Sequence, residues 1–155
     1  MEWETVESAF DWDGSWRDLY VLDASLDAWQ RLLDFLKSGP YGLTFRRETV
    51  EPLPARASSA FGGPDDVRPL LHVDLGSVTL NCHFFAEDEV EFDLDPREVQ
   101  SGAEAESVFE FMRGVGRALG KPVRLTPESM SDLTLIEYDP ASDELRKVRE
   151  FRGLL

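Results

Sequence analysis

LLHVDLGSVTLNCHFFAEDEVEFDLD, residues 70–95, is the stretch whose reading decides the fold. Gly76-Ser77 between two alternating apolar runs is the glycine-first signal of a two-residue type II′ hairpin turn, which sets Leu75 opposite Val78. Pairing then continues as Val73 with Leu80 and Leu71 with Cys82, while the other face pairs Asp74 with Thr79, His72 with Asn81 and Leu70 with His83. Ala86-Glu87-Asp88 reads as a three-residue loop that sets Phe85 opposite Glu89. Phe84 then meets Val90, Cys82 meets Phe92, and His83 and Asn81 stand across from Glu91 and Asp93. A slip of one residue would bury carboxylates, so the register is well specified. The stretch is a three-stranded meander with one oily wall and one polar wall.

That polar wall carries the candidate chemistry. Glu87, Asp88, Glu89, Glu91, Asp93 and Asp95 form an acidic row suited to a basic partner. His72 and His83 are diagonal neighbours on the same wall with Glu91 across from His83, and two imidazoles with a carboxylate are a donor set that suits zinc or iron. Against this, an ordinary solvated His–Glu pair explains the same residues, because no spaced metal motif accompanies them. Nor is there a nucleophile elbow, a P-loop or a dinucleotide fingerprint. The reading therefore leans away from an enzyme, and carboxylate pairs are too abundant here to signal one.

Charge narrows the partner. With 31 acids against 16 bases the formal net charge is −15. Phosphate backbones need a basic footprint, so neither nucleic acid nor an anionic membrane is expected as a direct partner. A basic protein is compatible, through long-range steering. The chain of 155 residues fits a single α+β domain spanning 1–155, a size at which roughly 68–70 % of the unfolded surface is buried. Its lone cysteine, Cys82, sits on the oily wall, and no signal-peptide pattern or long apolar run occurs. A cytoplasmic location is the expectation.

Working outward, residues 1–15 read as an irregular arm or a short first strand. Asp11-Trp12-Asp13-Gly14 invites comparison with a calcium loop but fails it, since Trp16 and Leu22 stand where the glycine and the bidentate glutamate belong. Residues 16–22 alternate as a strand, with Asp18 and Tyr20 on one side and Leu19 and Val21 on the other. Ser25 caps a helix with Leu26, Trp29, Leu32, Leu33 and Leu36 in one stripe, stopped at Gly39-Pro40. Residues 42–50 read as a strand bearing the basic pair Arg46-Arg47. Residues 51–69 change to Pro, Ala, Ser and Gly without periodicity and read as a mobile loop that Phe61 could anchor.

Beyond the meander, Ser101 and Glu104 form a capping box for a helix that carries Val108, Phe109, Phe111, Met112, Val115 and Leu119 inward and ends at Gly120. Gly114 and Gly116 within it suggest a close approach to another backbone. A short strand at 123–125, a cap and brief helix at 126–128, a strand at 133–138 and a return at 145–148 complete the chain. The tail, basic in character, either folds back over an acidic surface or frays.

The element order predicts a curved antiparallel sheet with two main helices packed on one face, an order similar to the TATA-binding-protein-like and helix-grip architectures. The segments WDGSWRD (12–18), EFDLDP (91–96) and LGKPVRLTPES (119–129) resemble small uncharacterised bacterial α+β proteins and, more loosely, immunity proteins of bacterial toxin systems. That resemblance implies a non-enzymatic inhibitor of a basic toxin; no site residue is carried over from it. The alternative reading is a small-ligand or metal-binding domain using His72, His83 and Glu91.

Overall fold

A computed structural model of the protein describes residues 1–63 and 67–152. Nine antiparallel strands form one open, curved sheet in the order β3-β2-β4-β5-β6-β1-β7-β8-β9, with four helices. The meander is its middle: β4 (Leu70–Asp74), β5 (Thr79–Ala86) and β6 (Glu89–Leu94). The first hairpin has the expected register throughout, from Leu70 with His83 to Asp74 with Thr79. Gly76 takes φ +108° in the turn, a conformation that side chains with a Cβ resist. In the second hairpin His83–Glu91, Cys82–Phe92 and Asn81–Asp93 also pair as expected.

The connection of that second hairpin differs from the expected three-residue loop. Ala86 pairs with Glu89 across a two-residue turn, and a bulge between His83 and Ala86 absorbs the extra residue. Phe84 stays in the core while Phe85 is 53 % exposed. A bulge re-aims side chains without disturbing the register beyond it, and here it turns Phe85 out to stack on the His83 ring at 4.8 Å between centroids.

The strand at the start of the chain, β1 (Arg17–Val21), lies between β6 and β7 (Val123–Pro127) at the centre of the sheet. The helices pack on the apolar wall. In α2 (Leu26–Ser38) Ser25 Oγ accepts the Ala28 N–H, and Trp29, fully buried, stacks on Phe84 and donates Nε1–H to the Ala86 carbonyl. In α4 (Gly102–Leu119) every residue expected to point inward is buried. Glu104 accepts the Gln100 N–H and the Ser101 hydroxyl, a variant of the expected box in which serine donates.

Four expectations need correction. Residues 3–10 are helical, as α1 (Trp3–Val6) and a 3-10 turn, and bury Val6 and Phe10 rather than trailing as an arm or a strand. The strand over 42–50 is broken into β2 (Gly42–Arg46) and β3 (Val50–Glu51). The stretch 51–69, read as a loop without periodicity, carries α3 (Ala57–Phe61), with Ala57 and Ala60 buried and Phe61, the anchor expected for it, edge-on to Trp29. Arg47 ties that helix down by donating to the Ser59 and Gly62 carbonyls at its C-terminal end, where the helix dipole favours a cation; residues 64–66 of this stretch lie outside the described ones. Thr126 and Pro127 extend β7 instead of starting a helix.

The hairpin of β8 (Ile136–Asp139) and β9 (Glu144–Lys147) ends the sheet, and the tail returns to bury Phe151 against Arg17. Gly114 and Gly116 make room chiefly for rings: a Cβ at Gly114 would lie 2.5 Å from the Phe35 ring, and one at Gly116 2.5 Å from the Tyr138 ring and also 3.2 Å from the Lys121 carbonyl, the close backbone approach expected there. Tyr138 is fully buried and cannot withdraw. Gly116→Ala therefore lowers stability by about 1–2 kcal/mol even after the gain in helix propensity. Gly114→Ala, facing a half-buried Phe35, is the milder change, and thermal melts of the two variants side by side give the order.

Candidate functional site

Cross-strand pairing lays two polar rows over the wall opposite the helices. One runs Thr44, His72, Asn81, Asp93, Asp18, Thr126 from β2 to β7; the other runs Leu70, His83, Glu91, Tyr20, Arg124, Glu137, Arg146 from β4 to β9. Over β4, β5 and β6 the wall holds an open groove of about 440 Å³ lined by Trp16, Leu70, His72, Asn81, His83, Asp93 and Glu128. Over β1 and β7 the segment 128–134 folds back across it. Ser129 N–H donates to Asp18 Oδ2 at 2.7 Å, Trp16 N–H to Glu128 Oε1 at 2.7 Å, and Arg124 Nη1 to the Ser131 carbonyl at 3.3 Å.

The groove floor is a directed chain of hydrogen bonds. His72 Nδ1 donates to Asn81 Oδ1 at 2.8 Å, Asn81 Nδ2 donates to Asp93 Oδ1 at 2.8 Å, and His83 Nε2 donates to Asp93 Oδ2 at 2.6 Å. Donors on both sides terminate on one carboxylate, which fixes the rotamers of all four residues. The bond to Asp93 holds the His83 imidazole above its ordinary value; burial opposes this, and the fields of Asp93, Glu91 and Asp18 add to it.

Behind the floor sits a second acidic layer. Asp18 is 4 % exposed and accepts from both Ser129 N–H and the Tyr20 hydroxyl, the latter at 3.0 Å. Its carboxyl is raised to about 6, by burial first and then by Glu91 and Asp93, with the Ser129 and Tyr20 donors pulling the other way. Tyr20, opposite Glu91, is likewise raised, by burial first and then by Glu91 and Asp18. A buried carboxyl shifted this far beside an open groove is the kind of perturbation that marks functional surfaces.

The residues singled out in the sequence are distributed differently from their linear run. Glu87 and Asp88 are exposed on the tight turn; Glu89, Glu91, Asp93 and Asp95 are only half-exposed along β6, an interior strand. Asp93 is engaged by His83 and Asn81 and Asp95 by a forked Arg97, while the Tyr20 hydroxyl, opposite Glu91 in the sheet, donates to Asp18. The acidic row is therefore part of a bonded wall, not a row of bare charges. His72, His83 and Glu91 stand on one wall as expected, yet His72 takes Asn81 as its partner and His83 takes Asp93. Among the described residues no three His, Cys, Asp or Glu side chains are placed to hold a metal ion.

Cys82 is fully buried on the apolar wall, with its thiol pushed well up by burial, and no Ser, Thr or Cys is among the residues lining the groove. The imidazoles and carboxylates of the floor can position and polarise a ligand. Sequence reasoning missed Asp18, Tyr20, Trp16 and Glu128 as neighbours of the histidines. The alternation in residues 16–22 placed Asp18 and Tyr20 on a polar side, but only the insertion of β1 beside β6 brings them to Asp93 and Glu91. No family model matches the chain, and neither a curated protein nor a solved structure does.

Proposed function

We propose that the protein is a non-enzymatic interaction module that holds a basic segment of a partner protein against the open polar wall of its sheet. The observation that carries this reading is the groove over Asn81 and Asp93, edged by Trp16, Leu70 and Glu128 and backed by Glu91 and Asp18. An arginine or lysine side chain entering it lays its aliphatic stem along Leu70 and Trp16, and its head meets carboxylates from two directions. A guanidinium also stacks on an indole face, worth about 0.5–2 kcal/mol according to how dry the site is. The exposed acids of the β5–β6 turn, Glu87 and Asp88, steer a cationic partner toward the wall, an effect that salt screens. An inhibitor of a basic toxin is one role that suits such a surface.

The test is a titration with a short arginine-rich peptide, followed by nuclear magnetic resonance at low and high salt. The largest shifts are expected at the Trp16 indole, the Asn81 side-chain amide and the two imidazoles. Glu128→Gln keeps the acceptor for Trp16 N–H and removes the charge, and it weakens binding about tenfold. Shifts spread evenly over all exposed acids, with Glu128→Gln binding as wild type does, would defeat the reading.

A further inference from the structure

We infer that residues 128–134 form a proton-sensitive strap over Asp18, which closes when that carboxyl takes up a proton and lifts when it ionises, adding Asp18 to the acids facing the groove. This rests on the groove being the binding surface, since it describes how that surface is regulated.

The geometry sets the strap apart from an ordinary connection. It has no helix or strand of its own between Pro127 at the end of β7 and Leu135 before β8, and Glu128, Ser129 and Met130 are exposed while Asp18 beneath is not. Its ends are firm: Leu135 N–H donates to the Leu125 carbonyl at 2.8 Å, and the Leu135 carbonyl accepts from Val148 N–H at 2.7 Å. Its middle is held to the sheet by the three bonds already described, at Asp18, Trp16 and Arg124. Ser129 makes its bond from φ +60°, a left-handed conformation that a residue with a Cβ resists. A segment with firm ends, few ties and a strained residue at the central tie is drawn from the low-stability end of a fold.

The groups facing Asp18 are Tyr20 on its own strand, Glu91 and Asp93 on β6, His83 on β5, Thr126 and the cation Arg124 on β7 and, from the strap, the Ser129 N–H. Glu128 sits on the strap with its Oε1 turned to Trp16 N–H. Two of the facing groups are carboxylates, His83 is hydrogen-bonded to Asp93, and Arg124 is engaged by Glu137 and the Ser131 carbonyl, so an ionised Asp18 lacks a counter-charge of its own. Closed, its carboxyl titrates at about 6; lifted into water, it returns toward the ordinary 3.8. A state that binds the proton more tightly is the one that acid favours, so linkage requires closure to strengthen as pH falls.

The experiment uses the free protein. Amide hydrogen exchange of residues 129–133, corrected for intrinsic rates, is expected to show protection about tenfold higher near pH 5 than near pH 8, the carboxyl carbon of Asp18 titrating in step. Asp18→Asn keeps the shape and the acceptor without the charge, and it gives high protection that does not vary with pH. Protection that is flat or rises with pH in the wild type overturns the strap, as does an Asp18→Asn variant that keeps the wild-type pH dependence, since His83 or Glu91 would then be the titrating group. Because no ligand is present, this outcome is independent of the peptide titration: a pH-sensitive strap with no peptide binding would sink only the proposed function, and peptide binding over a pH-insensitive strap would sink only this inference.

Discussion

Arg17→Met lowers the unfolding free energy by about 3–5 kcal/mol. Arg17 is fully buried. Its Nε donates to the Ala9 carbonyl at 2.6 Å, its Nη1 to the Ser15 and Trp16 carbonyls at 3.1 Å each, and its Nη2 to the Asp11 carbonyl. Its guanidinium also lies 4.0 Å from the centre of the Phe151 ring. One planar fork thus satisfies the backbone of the N-terminal segment and docks the C-terminal tail beside it. Methionine fills much of the volume and satisfies none of those carbonyls, and each buried acceptor left unpaired costs about 1–3 kcal/mol. Arg17→Lys recovers only part of the loss, because an ammonium cannot reproduce the fork. Urea denaturation of the two variants measures this, with exchange protection of residues 3–16 as the local readout. A methionine variant within about 1 kcal/mol of wild type would show that water replaces the fork without cost.

Raising the pH from about 4.5 to about 8 lowers the unfolding free energy by about 2 kcal/mol through Asp18, and Asp18→Asn removes most of that loss. The folded state holds the Asp18 proton at about 6 against an ordinary 3.8. A raised carboxyl contributes stability that is complete below the unfolded value and lost as pH climbs through the folded one. His83 acts in the same direction: its imidazole is raised above 6.5 by the bond to Asp93, so its contribution is complete below 6.5 and lost as pH passes the raised folded value. On the acid side, Asp95, held down by Arg97, and Glu104, held down by Ser101, lose their contributions as pH falls below their ordinary 3.8 and 4.5. Maximum stability is therefore expected between about pH 4 and 5, well below neutrality. Urea midpoints that hold level or rise from pH 5 to 8 would contradict the burial of a charged Asp18.

A buried carboxylate without a counter-charge makes the fold less stable at neutral pH than an asparagine at the same place, and such a cost is typical of surfaces shaped for a ligand rather than for stability. Arg17 and Asp18 are neighbours in sequence with opposite fates. Arg17 turns to the helical side, where backbone carbonyls await it. Asp18 turns to the polar wall, where other acids do.

The sequence by itself determined whatever depends on near neighbours along the chain. Gly76 in its turn fixed the first hairpin, and alternation fixed which wall carries His72, Asn81, His83, Glu91 and Asp93, because a one-residue slip would bury charge. Ser25, Gly39 and Gly120 marked helix ends through local capping chemistry. Tertiary structure decided what depends on strands distant in sequence. The insertion of β1 between β6 and β7 put Asp18 and Tyr20 beside Asp93 and Glu91 and so made the second acidic layer. Neither strand's pattern names its partner, since any half-buried strand pairs equally well with several others. The bulge that exposes Phe85, the carbonyls gathered around Arg17 and the strap over Asp18 arise the same way, from groups brought together only after the sheet has closed over its core.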